Sequence, residues 1–517
     1  MDTALTNTAP IDTASIDTAQ TVQGRDPRTG EPFGEPVPQT TNAEVGRIAE
    51  RAAAAFGIWR AFGRENRAAA LSAVADSLDA HKDELVALAD GETALGPTRL
   101  GGEVGRTTGQ LRLFAELLRE GTYQDIVIEP ADPARATPDL RRISRPLGPV
   151  AVFAASNFPF AFSVAGGDTA SALAAGCPVV VKAHEGHPRT SLRTGELVVE
   201  ALAEAGAPDG VFAIVFGFEA GVTLINHPAI TAAGFTGSAR GGLALAKACA
   251  ERPRPIPFYG ELGSVNPVFV LPGAAARRPE EIARGYAASL TLGVGQFCTN
   301  PGLLFVPGDT LKEQIGGAVA QTAGGPMLAG RMHDSLRAAA AELDEREGVT
   351  VLATGKPGEG PWTADPAVYT VDLPVFAADA EFLREERFGP VGLVVSYPGE
   401  ASQGTHPLLG LIDAGALGTG HLTATIHLDP ENAADVELAR LLAQRLQQLV
   451  GRIVFNGWPT GVAVTRAQHH GGPYPATTSP AYTSVGAAAI RRWLAPVVYQ
   501  DCPPALLPAE LRTDDEA

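Results

Sequence analysis

No stretch of this chain is apolar for the ~18 residues that a membrane-spanning helix needs. Its N-terminus has no basic region followed by an apolar run. Neither a membrane span nor a secretory signal is expected. Cysteine is scarce: Cys177, Cys249, Cys298 and Cys502 lie far apart, with no Cys-x-x-Cys or Cys/His cluster among them. That spacing argues against zinc, and no metal is expected. Free thiols fit a reducing compartment, so the expected location is the cytoplasm. Positive charge is also short. Forty Lys and Arg face 58 Asp and Glu, for a net charge of −18. This speaks against nucleic acid or an anionic membrane surface as partner. An anionic small substrate remains open, because a local arginine pocket can oppose the global field.

At 517 residues the chain is too long for one domain, and two or three are expected. Residues 1–20, with Ile-Asp-Thr-Ala repeated at Ile11 and Ile16, read as a disordered tail. Helices follow. Thr41 and Glu44 have capping-box spacing, and Val45, Ile48, Ala52, Phe56 and Trp59 keep helical period over 41–62. The pattern continues over 65–90 and again near 100–119. Two short runs, 124–128 and 139–143, flank a Pro/Asp/Ala loop and read as a hairpin that needs a partner surface. From 148 to 271 the pattern is α/β. Strands are expected at 149–154, 178–182, 211–216, 230–235 and 267–271, with helices at 160–175, 189–205, 218–226 and 239–250. A second α/β region spans 262–475. Tyr482 to Leu494 reads as helix, and Pro496 to Tyr499 as a strand that pairs elsewhere.

The chemistry centres on Cys298, in Gly295-Gln296-Phe297-Cys298-Thr299-Asn300, after a helical stretch marked by Ile282, Ala283, Tyr286, Leu290 and Val294. Glu261 stands 37 residues upstream. Asn157 follows the apolar strand 149–154. A thiolate nucleophile, a carboxylate base and an amide donor suit covalent carbonyl chemistry. Asn157 could equally cap the helix beginning near Pro159. Cys177 and Cys249 lie in small apolar contexts and read as packing residues. Gly234-Phe235-Thr236-Gly237-Ser238 follows a strand and opens a helix, where backbone N–H groups can hold a pyrophosphate; a plain turn is the alternative. Lys182 ends a buried strand, where it can face a ligand crevice or form a surface ion pair. Glu185, three residues on, could accept from ribose hydroxyls. Glu386-Arg387-Phe388-Gly389-Pro390 is either a solvated turn or a ribose-and-ring contact.

In order, Asn-Phe-Pro, Lys182, Phe-Thr-Gly-Ser, Glu-Leu-Gly, Gly-Gln-x-Cys and Glu-x-Phe-Gly-Pro resemble the signature series of the aldehyde dehydrogenase superfamily over about residues 22–500. Phe455-Asn456-Gly457-Trp458-Pro459-Thr460-Gly461, His470-Gly471-Gly472-Pro473-Tyr474-Pro475, Thr483-Ser484-Val485-Gly486 and Gly105 to Arg112 are similar to the α-ketoglutarate semialdehyde dehydrogenase branch. A fatty-aldehyde dehydrogenase group from luminous bacteria shares much of this pattern. A catalytically silent relative is the other alternative.

The resemblance implies an α/β aldehyde dehydrogenase fold in three parts. A Rossmann-like cofactor domain would take 20–123 and 147–261. An α/β catalytic domain would take 262–475. A β-hairpin oligomerisation arm, 124–146 with 476–500, would pair across subunits in a homodimer or homotetramer. It makes Cys298 the nucleophile, Asn157 the oxyanion donor and Glu261 the base that activates water. It assigns Lys182 and Glu185 to the adenosine ribose, Gly237, Ser238 and Gly242 to the pyrophosphate, Glu386 to the nicotinamide ribose and Phe388 to the ring beside it. The cofactor is NAD or NADP. The Glu185 carboxylate favours NAD, although His184, His187 and Arg189 nearby could offset it. No dedicated histidine partner for Cys298 is evident. For substrate, Arg106 aligns with the tunnel, with Gln110 one turn on and Phe158 beside Asn157. Arg106 would clamp the distal carboxylate of a semialdehyde, or form a surface pair with Glu103. Ala165 would replace a bulky tunnel aromatic and leave room for a polar tail.

Overall fold

The computed structural model describes residues 20–399 and 406–513; all but the last residue of the tail expected at 1–20 lies outside them. Four helices lead: α1 (Asn42–Ala61), α2 (Arg64–Ala80), α3 (Lys82–Thr93) and α4 (Pro97–Glu120). Thr41 caps α1 by accepting from the Glu44 N–H, as the spacing predicts. The helix expected over 65–90 is two helices. His81 ends α2 by returning its backbone N–H to Ser77 and Asp79, and its ring Nδ1 lies 2.9 Å from the Ser77 carbonyl oxygen.

An N-terminal hairpin, β1 (Thr21–Arg25) with β2 (Pro32–Pro38), packs beside these helices, and β3 (Val127–Glu129) and β4 (Leu140–Pro146) follow them. The first large sheet is built from β5 (Val150–Phe153), β6 (Val179–Lys182), β7 (Phe212–Val215), β8 (Ala232–Thr236) and β9 (Phe258–Glu261). Its order is β7-β6-β5-β8-β9, and every pair is parallel. These strands are apolar because both faces are covered. The crossovers are α5 (Gly167–Ala175), α6 (Pro188–Glu204), α7 (Phe218–Asn226) and α8 (Ala239–Glu251). The chain leaves β5 in one direction to β6 and β7, then returns to the other side for β8 and β9. The crevice at such a reversal is where open α/β sheets bind ligands.

Two expectations change here. The fifth strand is Phe258–Glu261, while Val268–Val270 belongs to the second sheet. The helix expected from 160 begins only at Gly167. The Phe160 and Ala161 N–H groups are taken by the Glu103 carboxylate, and a Cβ on Gly166 would lie 2.4 Å from the Ala161 carbonyl oxygen. The chain turns tightly there instead of coiling.

The second sheet has seven strands. Their order is 350–354, 367–372, 391–397, 303–307, 268–270, 421–427 and 450–455, with only the first pair antiparallel. Strand Leu494–Gln500 pairs with β4 of its own chain, in register from Leu494–Pro146 to Gln500–Leu140. The marginal hairpin thus gains its third strand internally. Leu507 and Leu511 pack on Ile143 beneath it. Of the helix expected over 482–494, only a 3₁₀ segment, Ala487–Trp493, forms. Residues 483 and 484 are engaged elsewhere.

Candidate active site

Cys298 sits on a sharp turn, because the preceding helix ends early. It stops at Thr291, and Gly293, Val294 and Gly295 take left-handed φ values of 56°, 57° and 67°. Val294 is therefore outside the helix that the sequence assigns it to. Gly295 must be glycine on two grounds: its positive φ, and the Gly389 carbonyl carbon 2.2 Å from where a Cβ would stand. Asn266 holds the turn from behind. Its Nδ2 donates to the carbonyls of Cys298 at 2.8 Å and Asn300 at 2.9 Å.

Glu261 ends β9 and is buried. The backbone of 476–478 runs beside that strand; Leu262 N–H donates to Ala476 O and Thr478 N–H to Gly260 O. This pairing brings His470 and Ser484 onto Glu261. His470 Nε2 lies 2.9 Å from Glu261 Oε1 and 3.6 Å from Cys298 Sγ. Ser484 donates to the other Glu261 oxygen. Cys298 thus has a histidine partner, contrary to the sequence reading. A pair of adjacent histidines in a chain with only ten, set before Gly-Gly-Pro, was the available signal.

The electrostatics divide the two acids. Burial alone would raise the Glu261 pKa, but the charge and hydrogen bond of His470, with bonds from Ser484 and Cys298, bring it below the ordinary value. Burial pushes the Cys298 thiol well up. The Glu261 carboxylate adds to that, and Arg106 opposes it.

Asn157 follows β5 and is buried. Its Nδ2 donates to the Gln296 carbonyl at 3.0 Å, two residues before Cys298, so it ties the two loops together and is not a helix cap. Arg99 of α4 grips the same loops. Its Nη2 donates to the Asn157 carbonyl at 2.6 Å. Its guanidinium stands 5.2 Å from the Phe158 ring and 4.7 Å from the Phe297 ring. One turn on, Glu103 Oε1 accepts from Phe160 N–H at 2.8 Å and Ala161 N–H at 3.0 Å. Arg99, Glu103, Arg106 and Gln110 fall at i, i+4, i+7 and i+11, one face of α4.

Arg106 is not the surface partner of Glu103, which is buried. It donates to the Val462 carbonyl and lies 5.6 Å over the Phe162 ring. Its Nε is buried without a partner, as are Gln110 Nε2 and Glu103 Oε2. Burial lowers the Arg106 pKa, and the charges of Glu103, Cys298 and Glu261 oppose that. Phe158 meets Phe162 and Phe297 edge-on at 5.2 Å each. Ala165 packs inside the helical core. Phe162, 6.5 Å from His470, is the aromatic that flanks the site.

The crevice beside this centre fits a dinucleotide. Lys182, at the end of β6, lies 3.4 Å from Glu185. Gly237 and Ser238 follow β8, and Ser238 caps α8 by accepting from Gly241 N–H. A Cβ on Gly242 would stand 2.2 Å from Leu262 Cδ2, so glycine there lets the first turn of α8 pack against the residue after β9. Glu386 and Phe388 line a recess with Ser264, Phe297 and Asn300. Protein crowded around the Glu386 carboxyl raises its pKa; solvent weakens that effect, because the residue is exposed. Burial lowers His184 well below its usual value and His187 to about 4. Both are neutral at pH 7 and cannot offset Glu185. Ser264 Oγ donates to Asn266 Oδ1 at 2.9 Å and accepts from Leu422 N–H at 3.0 Å.

A thiol on a turn, a buried carboxylate and histidine behind it, and a dinucleotide crevice alongside define a covalent oxidoreductase of carbonyl compounds. The chain belongs to the aldehyde dehydrogenase family, whose model matches residues 15–403. It is 46% identical over 505 residues to alpha-ketoglutaric semialdehyde dehydrogenase 2 of Azospirillum brasilense, covering 96% of this chain and 94% of that protein. It is 41% identical to the alpha-ketoglutaric semialdehyde dehydrogenase of Acinetobacter baylyi, covering 96% and 93%. Among solved structures it resembles a 3,6-anhydro-L-galactose dehydrogenase in complex with NAP. That match has a TM-score of 0.78 and 25% identity, over 93% of this chain and 96% of the other.

Proposed function

We propose that the enzyme oxidises α-ketoglutarate semialdehyde, or a closely related acid semialdehyde, to the carboxylic acid. The observation that carries the substrate is Arg106, a half-buried cation on the inner face of α4 whose charge acts on both Cys298 and Glu261, with an unpartnered Nε. The two similar proteins named for this substrate support it. Arg106 would anchor the distal carboxylate, with Gln110 and Phe158 shaping the channel and the aldehyde carbon left facing Cys298.

In this reading His470 Nε2–H stays bonded to the Glu261 carboxylate, the Cys298 thiol gives its proton to solvent, and the thiolate adds to the aldehyde carbon. Asn157 Nδ2 turns from Gln296 to the oxyanion, together with the Cys298 N–H; one such donor is worth about 3 kcal/mol. A bound nicotinamide supplies the hydride acceptor. Lys182 and Glu185 would hold its adenosine ribose, Gly237, Ser238 and Gly242 its pyrophosphate, and Glu386 and Phe388 its nicotinamide end. Glu261 then draws a proton from water, which cleaves the Cys298 thioester. NAD is favoured over NADP by Glu185. The apolar side chains exposed on the arm, Ile126, Val127 and Val498, favour a homodimer or homotetramer, working in the cytoplasm.

Arg106→Ala tests the substrate. KM for the acid semialdehyde should rise about 10-fold or more, since a charged hydrogen bond is worth about 1.5–3 kcal/mol. An uncharged aldehyde should be nearly unaffected. Equal losses on both would remove Arg106 as anchor and favour a long-chain aldehyde.

A further inference from the structure

Among the described residues, Cys298, His470 and Glu261 form the one group of three metal-ligating side chains whose ligand atoms all lie within 4.8 Å of one another. We propose that these three form an inhibitory site for a borderline-soft divalent cation of the zinc type, bound in competition with the aldehyde. The spacing suits the ion. Zinc bonds of about 2.1 Å to nitrogen and 2.3 Å to sulfur at a tetrahedral angle hold N and S about 3.6 Å apart. Cys298 Sγ and His470 Nε2 are 3.6 Å apart. A third bond to carboxylate oxygen asks for N and O about 3.4 Å apart. Glu261 Oε1 lies 2.9 Å from Nε2, so the carboxylate need only retreat slightly. The fourth position would face the aldehyde side, left to water.

Charge favours the ion as well. A thiolate beside the Glu261 carboxylate is two negative charges in a buried space, and a divalent cation neutralises both. Binding releases one proton, from the Cys298 thiol, and changes no oxidation state. Two features keep the site reversible. His470 Nδ1 is buried without a partner, and a ligating histidine usually donates its other N–H to a carbonyl or carboxylate that strengthens it. The charges of Arg106 and Arg452 also act on Cys298 and oppose a further cation. The geometry thus points to a metal that silences the nucleophile and leaves again. Sequence spacing gave no hint, because the ligands lie 37 and 172 residues from one another along the chain.

The test uses the full-length enzyme, freed of metal and without aldehyde. Cobalt(II) reports sulfur ligation through its near-ultraviolet absorption band, and calorimetry gives zinc affinity. The band should appear in the wild type and in Cys502→Ser, and vanish in Cys298→Ser. His470→Asn should weaken zinc binding by about 10-fold or more, the scale on which lost metal-site partners act, and zinc should shield Cys298 from iodoacetamide. His470→Gln serves if the Asn variant unfolds. A band that persists in Cys298→Ser, zinc binding unchanged in the His470 variants, or no binding at large excess would each overturn the proposal. An enzyme that bound zinc in this way but left every aldehyde untouched would break the functional reading and leave this one standing.

Discussion

The crevice proposed for the cofactor and the surroundings of Cys298, the proposed nucleophile, share a wall but are built from different material. The crevice is largely backbone: strand ends at Lys182 and Thr236, the start of α8 at Ser238, and glycines at 237 and 242. Its parts are close in sequence, and each recurs as a short pattern. The surroundings of Cys298 are made of side chains from five separated segments: Arg99 bonds Asn157, Asn157 bonds the Gln296 carbonyl beside Cys298, and His470 reaches both Cys298 and Glu261. Outside its glycines, backbone architecture tolerates single substitutions. A buried side-chain network does not, because each lost partner leaves another polar group unpaired. Substitutions at the nucleophile should therefore cost far more than substitutions at the crevice.

The largest effect belongs to Cys298→Ala. It should abolish aldehyde oxidation while cofactor binding, followed by fluorescence quenching, stays within error. Steady turnover in that variant would remove covalent catalysis from this site.

Glu261→Gln comes next. Loss of the base should slow thioester hydrolysis by about 10²–10⁴-fold, so that reduced cofactor appears in a burst and then stalls. The same variant should make Cys298 easier to alkylate. Burial first, and then the Glu261 charge, raise the thiol pKa; with the charge gone the thiolate forms at lower pH. The iodoacetamide rate should rise with pH in both proteins, with the variant's curve displaced to lower pH. An undisplaced curve would mean that burial alone sets the thiol.

The same contrast explains what could be read from sequence. Cys298, Glu261, Asn157 and the crevice residues each sit in a short motif, and the βαβ alternation placed most of the first sheet. His470, Asn266 and Ser484 act across 32 to 223 residues, and no local pattern encodes which residues they meet. Arg99 and Glu103 were nearer to hand. They lie on the face that Arg106 and Gln110 share, but Arg99 bonds the Asn157 carbonyl and Glu103 the N–H groups of 160 and 161, where the sequence predicts a helix. The turn at 160–166 escapes the sequence for a related reason: the Ala161 and Phe162 carbonyls, which a helix would use, accept from Gly167 N–H and Ala155 N–H.

That loop offers a third break, of intermediate size. Asn157→Ala should cost about 10²–10³-fold in kcat, as the loss of one oxyanion donor does. Arg99→Met keeps an apolar stem against Phe158 and Phe297 but drops the bond to the Asn157 carbonyl, and should cost about 10-fold. If Arg99 acts by placing Asn157, the double variant should be no slower than Asn157→Ala alone, because residues in one network are not additive. Additive losses, with the melting temperature also reduced, would make Arg99 a packing residue only.

The smallest effect should come from the crevice, at Glu185→Thr. The Glu185 carboxylate is half exposed and pairs with Lys182 at 3.4 Å. Two consequences of removing it point the same way. A 2′-phosphate loses a like charge nearby, and the Lys182 ammonium is freed to meet it. Burial lowers the Lys182 pKa while Glu185 opposes that, so the freed ammonium gives up part of its support and the gain is partial. His184 and His187 add nothing, since burial keeps both neutral at pH 7; lowering the assay to pH 6 should not change the outcome. An exposed pair is worth at most about 1 kcal/mol, or about 5-fold. The ratio of kcat/KM with NADP to that with NAD should therefore rise by about that factor, and shrink again in high salt as the charges are screened. A ratio that does not move would place cofactor choice elsewhere in the crevice. A rise of several hundredfold would break the comparison itself, because it would mean that this backbone-built region also depends on single side chains.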